Sequence, residues 1–294
     1  MELRQLEYFV AVAEERSFTR AAERVHISQS GVSAQIRRLE RELGAELFDR
    51  SARVATLTPA GEAALGHARA ALAATGALGQ AVGEVSGLIR GRLTVGMVTG
   101  CTITPLFDAL AAFRTAHPGV ELTLLEDASD RLVEEVRGGE VDLALVGTAT
   151  APEGLESLTI ISERLVAAVP PGHPLTERDR ITLRELEGRT IVCMPRGTGL
   201  RTVFDRACAA RGLRPAVALQ AGAADAIADL AARGLGVAVL SESMAERYRD
   251  RLTALVIADA RDPALLALIW REGPSPAVRE ALRCCRRAFD VTTG

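Results

Sequence analysis

The chain has 294 residues, 48% of them apolar, and a formal net charge of −3 at pH 7. That length suits two or three domains of roughly 100–200 residues each, and the near-neutral charge excludes a chain coated with cation for indiscriminate polyanion binding. No apolar run approaches the ~20 residues that span a bilayer, and "MELRQLEYFV" lacks the pattern of a secretion signal, so a cytoplasmic protein with no membrane partner is expected.

All the basic side chains are arginine, so each cation can make forked contacts with phosphate or guanine. The five cysteines (Cys101, Cys193, Cys208, Cys284 and Cys285) show neither C-x-x-C spacing nor a Cys/His cluster. Free thiols are expected, without metal or cofactor. His26, His67, His117 and His173 have no spacing that suggests a metal or a triad.

In "LRQLEYFVAVAEE", Leu3, Leu6, Phe9, Val10 and Ala13 recur at helical spacing. Ser17 offers an N-cap for a second short helix, "FTRAAERV", and Ser28 for a third that Gly44 can stop. On a helical wheel Val32, Ile36, Leu39 and Leu43 of this third helix share one side. Ser30, Ala34, Arg37 and Arg41 lie opposite, with Ser33 and Arg38 on the flanks, while Gln35 falls nearer the apolar side and reads as structural. Two short helices joined by "HIS", the second with a small and then cationic outer face, are the helix-turn-helix arrangement that can read DNA, although a polar outer face equally suits an ordinary surface helix. "AELFDRSARVATLTPAG" reads as two short extended pieces around a turn, with Pro59 opening another helix. That helix, roughly 28 residues and Ala-rich, reads as a linker that pairs with a copy of itself.

From Arg92 onward strands and helices alternate. "RLTVGMV", "VELTLLE", "VDLALVG", "RLVAAVP", "TIVCMP" and "LGVAVL" are strand candidates, interleaved with helices such as "TPLFDALAAFRTAHPG", "SDRLVEEVRGG", "LRTVFDRACAARG" and "ADAIADLAARG". This is the pattern of open α/β sheets in two lobes with a cleft between them, and "LLALIW" and the last helix are expected to return to the first lobe. Ligands of such sheets sit beyond the carboxyl ends of strands. The end after "RLTVGMV" offers Thr99, Cys101 and Thr102 beside a helix start suited to an anion; the end after "TIVC" offers Arg196, Thr198 and Gly199.

Residues 3–65 resemble the N-terminal domain of LysR-type transcriptional regulators. The resemblance rests on "F-x-x-V-A", "S-F-T-R-A-A", "S-Q-x-x-V-S-x-Q-I-R-R-L-E", "L-G-x-x-L-F-D-R" and "L-T-P-A-G"; "AHPGVELTL", "GEVDLALVG", "GHPL" and "AARGLGVAVL" extend it over the whole chain. It implies an α/β chain with an N-terminal α portion: a winged helix-turn-helix domain (1–59), a linker helix (60–89) and a two-lobed, periplasmic-binding-protein-like effector domain (90–294). The first lobe would take about 90–164 and 268–294, the second about 165–267.

The wheel and the resemblance together set Gln29, Ser30, Ser33 and Arg37 at base edges, and Thr19, Arg20 and Arg38 at phosphates. "DRSARV" resembles the family's wing, where Arg50 and Arg53 would meet the backbone or minor groove; pairing with a nearby acid is the rival role for Arg50. Ser129 and Ala223 would mark two further cleft edges. Two departures stand in the reading helix: Ser30-Gly31 where the family often has Pro-Ala, and Ala34 where many members carry Arg. A peroxide-sensing branch carries a reactive Cys before a Leu-Arg pair and a second Cys nine residues later. Here Gly199 precedes Leu200-Arg201 while Cys208 holds the second place, so no thiol switch is expected.

The implied partners are double-stranded promoter DNA, a small-molecule effector with an anion in view, and further copies of the chain as a homodimer or homotetramer; RNA polymerase is a candidate. An enzyme on the same two-lobed scaffold and a ligand-independent DNA-binding protein are the alternatives. The sequence lacks G-x-S-x-G, a P-loop and a dinucleotide-binding glycine motif, which disfavours the enzyme.

Overall fold

The computed structural model describes residues 1–49, 54–85, 89–100 and 103–291. The chain forms two compact units, one containing residues 1–91 and the other most of the chain from Arg92 onward.

In the first unit, α1 (Leu3–Glu15), α2 (Phe18–Arg24) and α3 (Gln29–Leu43) form where the apolar periodicity requires. The two serine caps are made: Ser17 Oγ accepts from the Arg20 N–H at 3.4 Å and Ser28 Oγ from the Gly31 N–H at 3.1 Å. Gly44 ends α3 in the left-handed conformation at φ 71°. Val32, Ile36 and Leu39 are fully buried against Phe9, Val12, Ala21 and Phe48. Leu43 departs from the wheel. It is 47% exposed in the last turn, beyond the reach of the three-helix core.

The strands β1 (Phe48–Asp49) and β2 (Thr56–Leu57) pair antiparallel and are followed by α4 (Pro59–Val85), whose 27 residues carry Leu65, Ala68 and Leu72 onto the same core. The carboxylate of Glu40 is buried and accepts from the Leu47 N–H at 2.9 Å and the Phe48 N–H at 3.4 Å, tying α3 to the start of β1. "LTPAG" has a local explanation. Thr58 Oγ1 donates to the Glu46 carbonyl at 2.6 Å and accepts from the Gly61 N–H at 3.0 Å, which caps α4. Gly61 faces the chain so closely that an added Cβ would lie 2.1 Å from the Leu47 carbonyl oxygen.

The second unit holds two sheets. Chain order runs β3 (Gly91–Val98), α5 (Thr104–Ala116), β4 (Val120–Asp127), α6 (Ser129–Gly138), β5 (Leu143–Thr148), β6 (Glu156–Glu163) and β7 (Leu165–Val169). It continues with β8 (Arg180–Ile181), α7 (Leu183–Leu186), β9 (Thr190–Cys193), α8 (Gly199–Ala209), β10 (Ala216–Gln220) and α9 (Ala224–Ala232). The last elements are β11 (Val237–Ser241), α10 (Glu242–Glu246), β12 (Thr253–Ile257), β13 (Ala264–Trp270) and α11 (Pro276–Ala288). One sheet has the order β4-β3-β5-β13-β6 and the other β10-β9-β11-β7-β12-β8.

β13 does return to the first sheet, antiparallel to both β5 and β6. β7 and β11 are buried along their whole length, as their unbroken apolar runs require between two helical layers. β6, β8, β10 and β12 are strands that the apolar pattern did not single out. β6 ("ESLTIISE") is polar at both ends and alternates imperfectly because it is the outermost strand of its sheet. The parallel strands β3 and β5 of one lobe, and β9, β10 and β11 of the other, direct their carboxyl ends into the cleft.

Gly61→Ala should lower the unfolding free energy by roughly 1–3 kcal/mol, the range for overpacking against a fixed neighbour. Urea denaturation of the intact chain followed by far-UV circular dichroism reads this as a fall in midpoint at unchanged slope.

Candidate functional site

The outer face of α3 carries one arginine ready to bind. Arg37 is exposed, and its guanidinium has no partner among the described residues. Arg41, on the same face, is exposed and donates its Nε to the Arg37 carbonyl at 3.3 Å, and the remaining arginines nearby are held by acids. Arg38 meets Glu2 and Glu42 at 3.3 Å each; Arg20 meets Glu15 at 3.3 Å, and Arg24 meets Glu14 at 2.6 Å. These pairs are exposed, so exchanging an acid for a phosphate costs little, about 0–1 kcal/mol per pair.

Ser30 and Gln29 are exposed at the start of α3 and Ser33 is partly so; Gln29 Nε2 lies 3.4 Å from Ser33 Oγ, and Ser30 Oγ 3.1 Å from Ser28 Oγ. Thr19 is exposed on α2. Gln35 points inward, where its Oε1 accepts from the buried Gln5 Nε2 at 3.5 Å. Gly31 supplies the capping N–H, and an added Cβ would sit 3.1 Å from Ser28 Oγ. Arg50 and Arg53 lie outside the described residues.

The cleft of the second unit holds a cavity of about 150 Å³. Its floor is apolar: Val98, Ile103, Ile161, Met194, Leu200, Met244, Leu265 and Leu266. The sequence-predicted Thr99, Thr198, Gly199 and Ala223 line it. Ser129 and Arg196 do not. Ser129 is buried, and its Oγ accepts from the Gly147 N–H at 3.1 Å, pinning the end of β5. Arg196 is exposed and outside the lining. Cys101 and Thr102 lie outside the described residues.

Polar groups that sequence reasoning missed complete the wall: Glu163, Asp225, Ser241, Ser243, Arg247 and Tyr248. Glu163 ends the unrecognised strand β6, and Asp225 reads in sequence as an ordinary first-turn acid of a surface helix. Tyr248 is buried and donates to Asp225 Oδ1; burial, followed by that acid, pushes its hydroxyl up to about 12, so it keeps its proton.

The lobes meet backbone to backbone. An added Cβ on Gly199 would lie 2.0 Å from the Gly147 carbonyl carbon, and one on Gly100 (φ 76°) 2.6 Å from the Gly222 carbonyl oxygen. A cysteine at position 199 therefore has no room in this arrangement. Of the remaining thiols, burial pushes Cys193 up to about 12 and Cys208 to about 11, so neither is a thiolate near neutral pH. Arg201 is buried and engaged with Asp205 at 2.8 Å, a packing role.

One unit thus presents a helix-turn-helix with a cationic outer face, and the other a ligand-sized cleft. These are the parts of a ligand-responsive DNA-binding protein.

The comparisons with known proteins agree. Residues 3–62 match the bacterial regulatory helix-turn-helix protein, lysR family, and residues 86–290 the LysR substrate binding domain. The transcriptional dual regulator GltC of Bacillus subtilis is 34% identical over 87% of this chain and 86% of its own length. A full-length OxyR variant from Pseudomonas aeruginosa shares the fold at a TM-score of 0.74 and 23% identity, covering 100% of this chain and 96% of that one. Full-length CbnR, solved in complex with its target DNA, gives a TM-score of 0.52 at 27% identity, covering 98% of this chain and 100% of that one. The chain belongs to the LysR family and is a DNA-binding transcriptional regulator with an effector-binding domain; it is not an enzyme. Among the described residues no helix is long and apolar enough to cross a membrane.

Gly199→Ala should force the lobes apart at β5. Hydrogen–deuterium exchange of the intact chain should quicken at the Gly147 and Thr148 amides relative to wild type, with exchange in α1 and α3 unchanged.

Proposed function

We propose that this chain regulates transcription in the cytoplasm as a homodimer or homotetramer on a split, partly palindromic promoter site. Residues 1–59 bind DNA, 60–89 join copies of the chain, and 90–294 take the effector in the cavity between the lobes (about 90–164 with 268–294, and 165–267). Gln29, Ser30, Ser33 and Arg37 read base edges. Thr19, Arg20 and Arg38 hold phosphates, and Arg50 and Arg53 serve the wing. A small molecule favours one of two assemblies on the DNA by binding them unequally, which alters contact with RNA polymerase.

The observation that carries this reading is Arg37: exposed, without a partner among the described residues, and opposite the buried stripe Val32, Ile36 and Leu39. One short helix reads few base pairs, so tight binding needs paired half-sites.

The test is selection of genomic fragments by the purified chain at about 150 mM salt, where non-specific phosphate binding is suppressed. Wild type should enrich a few promoter fragments sharing a split dyad. Arg37→Ala should lose about 1–3 kcal/mol of binding and relax specificity at one position of each half-site, whereas Arg38→Ala should weaken all sequences alike. Equal enrichment by wild type and Arg37→Ala would contradict the assignment of α3.

A further inference from the structure

The chemistry of the cavity points away from the anion that the sequence suggested. Arg196, the cation on which that expectation rested, stands outside the lining. Arg247 is the arginine within the lining; it is exposed at the rim and already interacts within the protein.

Three hydroxyl donors of the wall are consumed by the protein itself, while Thr99 and Ser241 keep theirs among the described residues. Tyr248 donates to Asp225 Oδ1, Ser243 Oγ donates to Glu163 Oε2 at 2.8 Å, and Thr198 Oγ1 donates to the Pro195 carbonyl at 2.8 Å. Two of these bonds use one oxygen of a lining carboxylate and leave the other. Asp225 Oδ2 and Glu163 Oε1 have no partner among the described residues, and a phenolic oxygen retains acceptor capacity when its hydrogen is given away.

A second observation is independent of the two carboxylates. Ser241 lines the cavity with only 7% of its surface exposed, and its Oγ caps no helix and has no hydrogen-bond partner among the described residues. That oxygen is not among the enclosed polar atoms left without a partner, so it is open to whatever enters the cavity.

The starts of α8 and α9 do not favour an anion. The first residue of α8, Gly199, is packed on the Gly147–Thr148 backbone, and α9 carries Asp225 in its own first turn. A free anion would meet two carboxylates there. A cation gains from both, because an opposite charge within a few ångströms is favourable where a like charge is not, by a modest amount since Asp225 is exposed and Glu163 half-buried. The volume, about 150 Å³, is that of a cavity known to hold benzene, so roughly six to nine heavy atoms fit.

Resting on the reading of this cavity as the effector site, we propose that its ligand is a small organic cation. Its compact apolar body occupies the floor of Ile161, Met194, Leu200 and Leu266, and its protonated amine is received by Asp225, Glu163 and Ser241.

The test uses matched pairs of primary amines and carboxylates of roughly six to nine heavy atoms: benzylamine against benzoate, cyclohexylmethylamine against cyclohexanecarboxylate, and isoamylamine against isovalerate. Binding to the intact chain is followed near neutral pH by ligand-observed NMR and thermal shift, with Ala223→Trp and Asp225→Asn run alongside. Ala223 lines the cavity from an exposed position, so its replacement fills the site without disturbing the core. Asp225→Asn keeps the shape and removes the charge. At least one amine should bind at least tenfold more tightly than its matched carboxylate, lose at least tenfold in Asp225→Asn, and not bind Ala223→Trp. A carboxylate that binds more tightly than its amine and is lost in Ala223→Trp would overturn the cation and leave the cavity reading standing. No binding by any pair, or binding that Ala223→Trp leaves untouched, would overturn the reading of the cavity itself.

Discussion

Two backbone-to-backbone contacts between the lobes define the effector domain. Gly199 rests on Gly147, and Gly100 on Gly222, at distances that leave no space for a side chain. With the lobes this close, strand ends from both sheets contribute to one wall, and a cavity of about 150 Å³ remains instead of an open groove. A cavity of that size reports on a small change. Any ligand that prefers one separation of the lobes shifts their equilibrium by its differential affinity, and by no more.

The same economy appears in the DNA-binding domain. α3 buries Val32, Ile36 and Leu39 on one side and presents Arg37 on the other. Its placement is fixed by polar contacts that touch no DNA: the Ser28 cap, the Gln5–Gln35 bond, and the Glu40 carboxylate that holds the amides of Leu47 and Phe48. Glu40 is the costliest of these to lose, because removing a buried acceptor strands two amides. The arginines flanking Arg37 wait in weak exposed pairs with acids, which keeps the chain near neutral overall while leaving cation available locally.

Much of this was legible in the sequence because it rests on local rules. Period, caps and stop residues place α1, α2, α3 and the start of α4 within a residue or two, and unbroken apolar runs mark the buried strands β7 and β11. "LTPAG" is readable as a helix start, but not as the close approach of Gly61 to Leu47, which depends on a partner fourteen residues away. The site was less legible. Thr99, Thr198, Gly199 and Ala223 follow from the rule that ligands sit beyond strand ends. Ser129 sits at such an end yet spends its hydroxyl on Gly147, and Arg196 points to solvent. Glu163 stands at the end of β6 and Tyr248 just after the short helix α10, neither of which has an apolar pattern that sequence can show, whereas Asp225 and Ser241 stand on the recognised elements α9 and β11 and look there like ordinary surface and strand-end residues. Hydrogen bonding then decides what the cavity can receive, and no sequence pattern records which donors are already used.

The claim at the centre is that filling the cavity changes how the protein sits on DNA. The most direct measurement is a DNase footprint of wild type and Ala223→Trp on one selected promoter duplex, at saturating protein and with both proteins verified as folded. A tryptophan over the cavity holds the lobes in one arrangement, so the footprints should differ in length or in the cleavage pattern between half-sites. Identical footprints would mean that the cleft and the reading helix are not coupled, and the account of this chain as an effector-controlled regulator would be wrong.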